Sequence, residues 1–232
     1  VADPTPGPGQ ALTKVLACGI CGSDLHMLRH GAEMRATMAE LVGSAPNDPM
    51  SPKPFEPQHD TIMGHEFCCE VIDLGAGCDN LKVGDVVVSM PVAFDTEGLH
   101  ALGYSNRYNG GYAELMVVNE LLTLKVPNGL SPSMAALTEP LAVGIHAVAK
   151  SRIDGTASAV VLGAGPVGLA CIAALRMRGI GPIVVAEFSA KRRELAVQLG
   201  ADVVVDPRET SAIEAWRAID GVRPLVIFEA VG

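Results

Sequence analysis

Residues 18 to 26 read CGICGSDLH, two cysteines, a serine, an aspartate and a histidine in nine positions. A Cys-x-x-Cys pair can be half of a zinc knuckle, a redox dithiol, or part of a catalytic metal site. A knuckle needs a second pair at comparable spacing. Cys68 and Cys69 are adjacent in a strand-like run and must face opposite ways, and Cys78 stands alone. A redox dithiol belongs at the strand-to-helix turn of a small α/β domain, whereas this stretch lies in a β-rich region. A catalytic site asks for only three protein ligands and keeps one position open. MGHEF offers His65 beside Glu66, and LTEPLAVGIH offers Glu139.

A second constellation lies further along. GAGPVG sets Gly163, Gly165 and Gly168 in G-x-G-x-x-G spacing, with Pro166 and Val167 inside the turn. It follows a strand-like run and opens a helix-like one, the context in which such a turn cradles a pyrophosphate against a helix N-terminus. Glu187, 19 residues beyond Gly168, ends the next strand where an acid holds the adenosine ribose. Its charge repels a 2′-phosphate and favours NAD over NADP. Lys191, Arg192 and Arg193 form an exposed helix face, and Arg192 stands near enough to serve a 2′-phosphate should Glu187 be replaced.

The elements that position these residues follow from periodicity. ALTKVLA, FCCEVIDLG, DVVVSMP and AELMVV are short β-branched runs broken by Gly, Pro and Asp. AEMRATMAELVG puts Met34, Met38 and Leu41 at helical spacing, and the proline-rich stretch up to Gln58 reads as an exposed loop. LSPSMAALTEPLAVGIHAVAKSRI reads as helix, with Ser131 as N-cap and a kink or break near Pro140. His146 on it is expected in the core or at a cap. From Ala157 strands and helices alternate as β-α-β-α-β-α-β, the pattern of a parallel sheet. The expected fold is α/β: a β-rich domain over residues 1–150, then a dinucleotide-binding doubly wound sheet over 151–232.

Composition excludes several classes. A net charge of −9 with no basic stripe argues against a nucleic-acid surface. Gly155 to Leu175 carries no charge and mimics a membrane span, but three glycines and a proline at its centre read as strand, turn and buried helix. The six cysteines follow no disulfide framework, which places the chain in a reducing cytoplasm. Cys18, Cys68, Cys69 and Cys171 read as packing residues.

The three ligand-bearing stretches in this order, followed by the glycine fingerprint, GGYAEL and FEAVG, resemble the zinc-dependent medium-chain alcohol dehydrogenases. The resemblance implies a GroES-like catalytic domain before the Rossmann-type sheet, one catalytic zinc, and NAD as hydride acceptor. It implies that Cys21 rather than Cys18 is the thiolate ligand and His65 the imidazole. Glu139 falls at the family's third ligand, and Glu66 is the neighbour that coordinates in polyol-type members, so the two share that role. Asp24 resembles the carboxylate that orients the His65 ring. Ser23 and His26 resemble the relay that removes the alcohol proton. The implied activity is oxidation of a secondary alcohol or polyol. The alternatives are a primary alcohol or aldehyde dehydrogenase, or an inactive nucleotide-binding relative. A homodimer or homotetramer is the implied assembly.

Two departures stand out. Many members carry a four-cysteine structural zinc lobe between GHE and GGYAE, while Phe67 to Tyr108 holds only Cys68, Cys69 and Cys78; a single zinc is therefore expected. The insertion from Arg29 to Gln58 lengthens the path from Cys21 to His65 and is expected to border the substrate entrance. The resemblance also implies a longer polypeptide, with opening strands before Val1 and the last two nucleotide-sheet strands after Gly232. Without them the PLVIF strand would be an exposed edge.

Overall fold

A computed structural model describes residues 1–42, 56 and 58–231. The side chains of residues 34, 35, 37–39, 41 and 42 lie outside that description, as do most of the proline-rich stretch and the expected Met34–Met38–Leu41 face. The chain forms two compact units, Val1–Glu139 and Pro140–Gly232. They part within a helix, earlier than the 150/151 division expected from composition.

In the front unit, β1 (Gln10–Cys18) leads into helix α1 (Gly22–Val42). Then come β2 (Phe67–Leu74), β3 (Val86–Ser89), the hairpin β4 (Val92–Asp95) and β5 (Gly98–Ala101), β6 (Leu115–Asn119) and β7 (Thr123–Lys125). Five strands form an antiparallel sheet in the order β6-β1-β2-β3-β7. Cys68 and Cys69 on β2 do point to opposite faces. Cys69 joins Val71, Val87, Leu102 and Met116 in the main core, and Cys68 packs with Val88, Ala135 and Ala136.

Helix α1 starts ten residues before the segment expected to be helical, because its first turn is specified by polar contacts rather than by apolar spacing. Asp24, at the third helical position, reaches back to accept from the Cys21 N–H at 3.0 Å. That is one arm of a capping box, and it makes Cys21 the residue that opens the helix. The helix kinks at His30.

The long helix expected around Pro140 is two: α2 (Pro132–Ala135) and α3 (Thr138–Ser151). The break falls at Ala136–Leu137, so Pro140 lies in the first turn of α3, where its missing N–H costs no hydrogen bond. Ser131 occupies the N-cap position of α2, yet its hydroxyl meets Ser133 rather than the backbone. His146 is a correction: it sits in the middle of α3 and is exposed, neither core nor cap.

The rear unit continues with β8 (Ser158–Leu162), α4 (Pro166–Met177), β9 (Ile183–Ala186), α5 (Ala190–Gln198), β10 (Val203–Val205), α6 (Ala212–Ile219) and β11 (Leu225–Glu229). The sheet is parallel in the order β10-β9-β8-β11, the 3-2-1-4 arrangement of the first strands of a dinucleotide fold. Ala159, Val161, Ile183 and Val185 pack against α4 on one face. Val160, Val184 and Ala186 pack against Ala212 and Ala215 of α6 on the other. Covered faces explain why these strands read as unbroken apolar runs. The uncharged stretch around Leu162 is thus strand, turn and buried helix. Among the described residues no helix is long and apolar enough to cross a membrane.

Candidate functional site

Two short stretches of the front unit converge. Cys21 stands at the start of α1, and His65 and Glu66 immediately precede β2. The Cys21 sulfur, a His65 ring nitrogen and a Glu66 carboxylate oxygen all lie within 4.8 Å of one another. This is the group among the described residues whose donors could share a metal ion. Thiolate, imidazole and carboxylate are zinc's own ligand types, so the donor set fits that ion.

The backbone makes this convergence possible. At Gly19 an added Cβ would lie 2.1 Å from Glu66 Oε2, so the glycine leaves the room the carboxylate fills. Gly64 has φ +94°, and its carbonyl accepts from the Gly111 N–H at 2.7 Å. Met63 and Ile62 carbonyls likewise accept from Tyr112 and Gly110 N–H groups at 2.9 Å each. A Cβ at Gly110 would fall 2.4 Å from the Met63 carbonyl oxygen. The GHE and GGY motifs, 46 positions apart, therefore lie backbone against backbone.

Asp24 is the hub. It is 3% exposed and accepts from the Cys21 N–H, from Tyr112 Oη at 2.7 Å and from Tyr104 Oη at 3.2 Å. His65 Nδ1 sits 3.1 Å from Asp24 Oδ1 and lacks the alignment of a formed hydrogen bond to any group. A histidine braced on Nδ1 by a carboxylate presents Nε2 to a metal. Nε2 does face the cluster, 3.4 Å from Ser23 Oγ. The fit to a metal ion therefore rests on the donor set itself, because the ring nitrogen without a formed hydrogen bond, Nδ1, is the one that faces Asp24.

Ser23 Oγ also lies 2.9 Å from Tyr104 Oη, and the Tyr104 ring is 5.4 Å from that of His65. The structure does not join Ser23 to His26: His26 is exposed and stacks on His30 with ring centroids 4.9 Å apart. Tyr104 and Tyr112 escaped sequence reasoning. GGYAEL carried the only signal for Tyr112, and nothing marked Tyr104.

Glu139 is half-buried outside the 4.8 Å group, though close enough to feel it electrostatically. Burial pushes its carboxyl above the ordinary range, His65 pulls it back, and the Glu66 and Asp24 charges push it up again. Burial also raises the Cys18 thiol to about 11, so that sulfur stays protonated at neutral pH.

In the rear unit Gly163 takes φ +87° at the end of β8. A Cβ on Gly168 would lie 2.0 Å from the Gly163 carbonyl oxygen, whereas one on Gly165 would meet nothing within 4 Å. The third glycine thus serves close packing and the second borders open space. Pro166 begins α4, and the Val167 and Gly168 N–H groups have no intrahelical acceptor. This cradle fits a dinucleotide pyrophosphate. Glu187 is buried, accepting from the Ala164 N–H at 2.7 Å and the Ser189 N–H at 2.8 Å. Burial alone would raise its carboxyl, but those two donors and the nearby Arg192 hold it below the ordinary range. Arg192 is exposed on α5.

Comparison with known proteins agrees with both halves. The family model for the alcohol dehydrogenase GroES-like domain matches residues 7–128, and that for zinc-binding dehydrogenases matches 166–232. The (R,R)-butanediol dehydrogenase of Bacillus subtilis (strain 168) is 37% identical over 232 residues, covering 93% of this chain and 61% of that protein. The sorbitol dehydrogenase of the same strain is 32% identical over 96% of this chain and 62% of its own length. The crystal structure of 2R,3R-butanediol dehydrogenase from Bacillus subtilis superposes with a TM-score of 0.77 at 34% identity, over all of this chain and 66% of that one. The chain spans about three fifths of the length of the curated relatives it matches.

Proposed function

Because the chain belongs to the zinc-dependent medium-chain alcohol dehydrogenases, we propose that it serves an NAD-dependent oxidation of secondary alcohols or polyols. The observation that carries this reading is the meeting of Cys21, His65 and Glu66 within 4.8 Å, with the Ser23 hydroxyl beside His65 Nε2. The similarity to butanediol and sorbitol dehydrogenases supports the substrate class.

Cys21, His65 and Glu66 would hold the zinc, with Glu139 as the nearby carboxylate that can exchange with Glu66. Bound zinc would supply Lewis acidity that makes a hydroxyl at the site easier to deprotonate, and NAD would supply the hydride acceptor. The chain's own part is positioning and proton handling. Asp24 fixes the His65 ring, and Tyr104 and Tyr112 fix Asp24. Ser23 Oγ takes the proton of the substrate hydroxyl as it releases its own to solvent, with Tyr104 Oη, 2.9 Å away, holding the hydroxyl in place. The front unit, taken as the catalytic domain, holds the metal. In the rear unit Gly163, Gly165 and Gly168 shape the pyrophosphate cradle, and the Glu187 carboxylate receives the ribose hydroxyls.

All six cysteines are free thiols, which supports a reducing cytoplasmic setting. A homo-oligomeric active form is part of the same reading. The test is elemental analysis of the purified protein together with NAD- and NADP-dependent turnover across a panel of primary alcohols, secondary alcohols and polyols. Zinc with faster NAD turnover on secondary alcohols or polyols is expected. Fastest turnover on primary alcohols would move it to the sister activity, and zinc-free nucleotide binding would make it an inactive relative.

A further inference from the structure

We infer that Asp206 is a second determinant of cofactor choice, because it withdraws two guanidinium groups from the place where a 2′-phosphate would sit. The inference rests on the reading that the rear unit binds a dinucleotide with its ribose at Glu187. That strand end is more cationic than its sequence suggests. Arg193 Nη1 donates to the backbone carbonyls of Glu187 and Phe188 at 2.8 Å each, and Arg208 Nη2 donates to the Phe188 carbonyl at 3.0 Å. Both guanidiniums therefore lie against the main chain that carries the ribose-binding acid. Arg208 also lies over the exposed Phe188 ring, 5.8 Å from its centroid.

Neither guanidinium is at liberty. Asp206, just past β10, accepts from Arg193 Nη1 at 3.0 Å through Oδ2 and from Arg208 Nε at 2.8 Å through Oδ1, and it also binds Arg208 Nη2. Its side chain is 9% exposed, and the strand before it is tied to Glu187 by the Glu187 N–H donating to the Val205 carbonyl at 3.1 Å. One carboxylate thus occupies the Nε–Nη2 fork of Arg208 and Nη1 of Arg193. An arginine recognises a phosphate by presenting two parallel N–H groups together with its charge. Here Asp206 offsets one of the two positive charges and engages the Arg208 fork and Arg193 Nη1, while Glu187 adds a repulsive charge of its own. Rejection of a 2′-phosphate then has two parts: the charge of Glu187, and the hold of Asp206 on Arg193 and Arg208. The exposed Arg192 is left as a lone cation on the α5 surface.

Replacing Glu187 alone should consequently shift preference only modestly, and releasing the arginines should complete the shift. The test is isothermal titration of the purified protein with NAD and with NADP, for the parent, Glu187→Ser, Asp206→Asn and the double variant. Asp206→Asn keeps the shape and removes the charge. It is expected to lower the ratio of NADP to NAD dissociation constants by about tenfold or more in the Glu187→Ser background, the size of one gained charged hydrogen bond. The gain should shrink at high salt and vanish when Arg193→Ala and Arg208→Ala are added. Should Asp206→Asn fail to fold, as judged by Trp216 fluorescence, Asp206→Ser replaces it. An unchanged ratio, or a gain that survives loss of both arginines, overturns the role of Asp206 while leaving dinucleotide binding intact. A parent protein that binds neither nucleotide overturns the dinucleotide reading itself.

Discussion

Tyr112 Oη donates to Asp24 Oδ2 across 2.7 Å, joining the GGY turn to the carboxylate that braces His65. Tyr112 is partly exposed, while Asp24 is buried. The bond therefore runs from the rim of the site to the group that fixes its imidazole. Partners of this kind around metal ligands typically contribute about 10- to 100-fold in affinity or activity. Tyr112→Phe should weaken zinc binding by about tenfold at the lower end of that range. Competition with a chromophoric chelator measures this directly. Unchanged affinity would reduce Tyr112 to a packing residue.

Cys21 and Cys18 should part company on mutation. Cys21→Ser should abolish zinc and activity together, because a serine hydroxyl replaces the thiolate of a three-residue ligand set. Cys18 lies three residues away with its thiol raised to about 11, and its sulfur packs over Gly111, where an added Cβ would come within 2.6 Å. Cys18→Ser should keep its zinc and lose only a little stability. Elemental analysis of the two purified variants decides the matter, and zinc persisting in Cys21→Ser would place the metal elsewhere.

The two glutamates can be told apart through a glycine. Gly19→Ala puts a methyl 2.1 Å from where Glu66 Oε2 now lies, and the three nearest atoms it meets all belong to Glu66, so that carboxylate is forced to move. If Glu66 is the third ligand, Gly19→Ala and Glu66→Gln should both lower zinc occupancy, and Glu139→Gln should retain it. The reverse ranking, read by zinc content after dialysis against a weak chelator, would assign the ligand to Glu139.

Glu187 should leave a mark on acid stability. Its folded carboxyl is held below the ordinary value of 4.5, by Ser189, Ala164 and Arg192 acting against the cost of burial. A depressed pKa contributes stability that is complete above the unfolded value and is lost as pH falls from 4.5 through the lower folded value. Glu187→Gln should therefore flatten the stability profile below that pH and change its slope little above it. Trp216, the only tryptophan, packs against the rear sheet and reports urea unfolding of that unit alone. Parallel profiles for parent and variant below pH 4.5 would refute the assignment.

The rear unit was legible because its information is local. Apolar strands of three to five residues, a glycine turn at the right spacing and helices of matching period leave few arrangements, and the strand order follows from right-handed crossovers. The hairpin β4–β5 and strand β7 were not legible. They are three or four residues long, and Phe94 and Thr123 find partners across the fold: the Phe94 N–H donates to Asn119 Oδ1, its carbonyl accepts from Gln10 Nε2, and Thr123 Oγ1 donates to Ser89 Oγ.

By itself the sequence determined the fold class, the glycine cradle with Glu187, and the set of residues from which a metal site could be drawn, since those rest on residue type and spacing. Only the tertiary structure decided how that set is used. It brought Glu66 against Cys21 and His65 by way of the space at Gly19, and left Glu139 at the margin. It turned Ser23 toward Tyr104 instead of His26, and gathered two tyrosines and a backbone N–H on Asp24. The reason is physical: the tyrosine hydrogen bonds join residues about 80 to 90 positions apart, so no local pattern encodes them, and they exist only once distant segments of the front unit lie against each other.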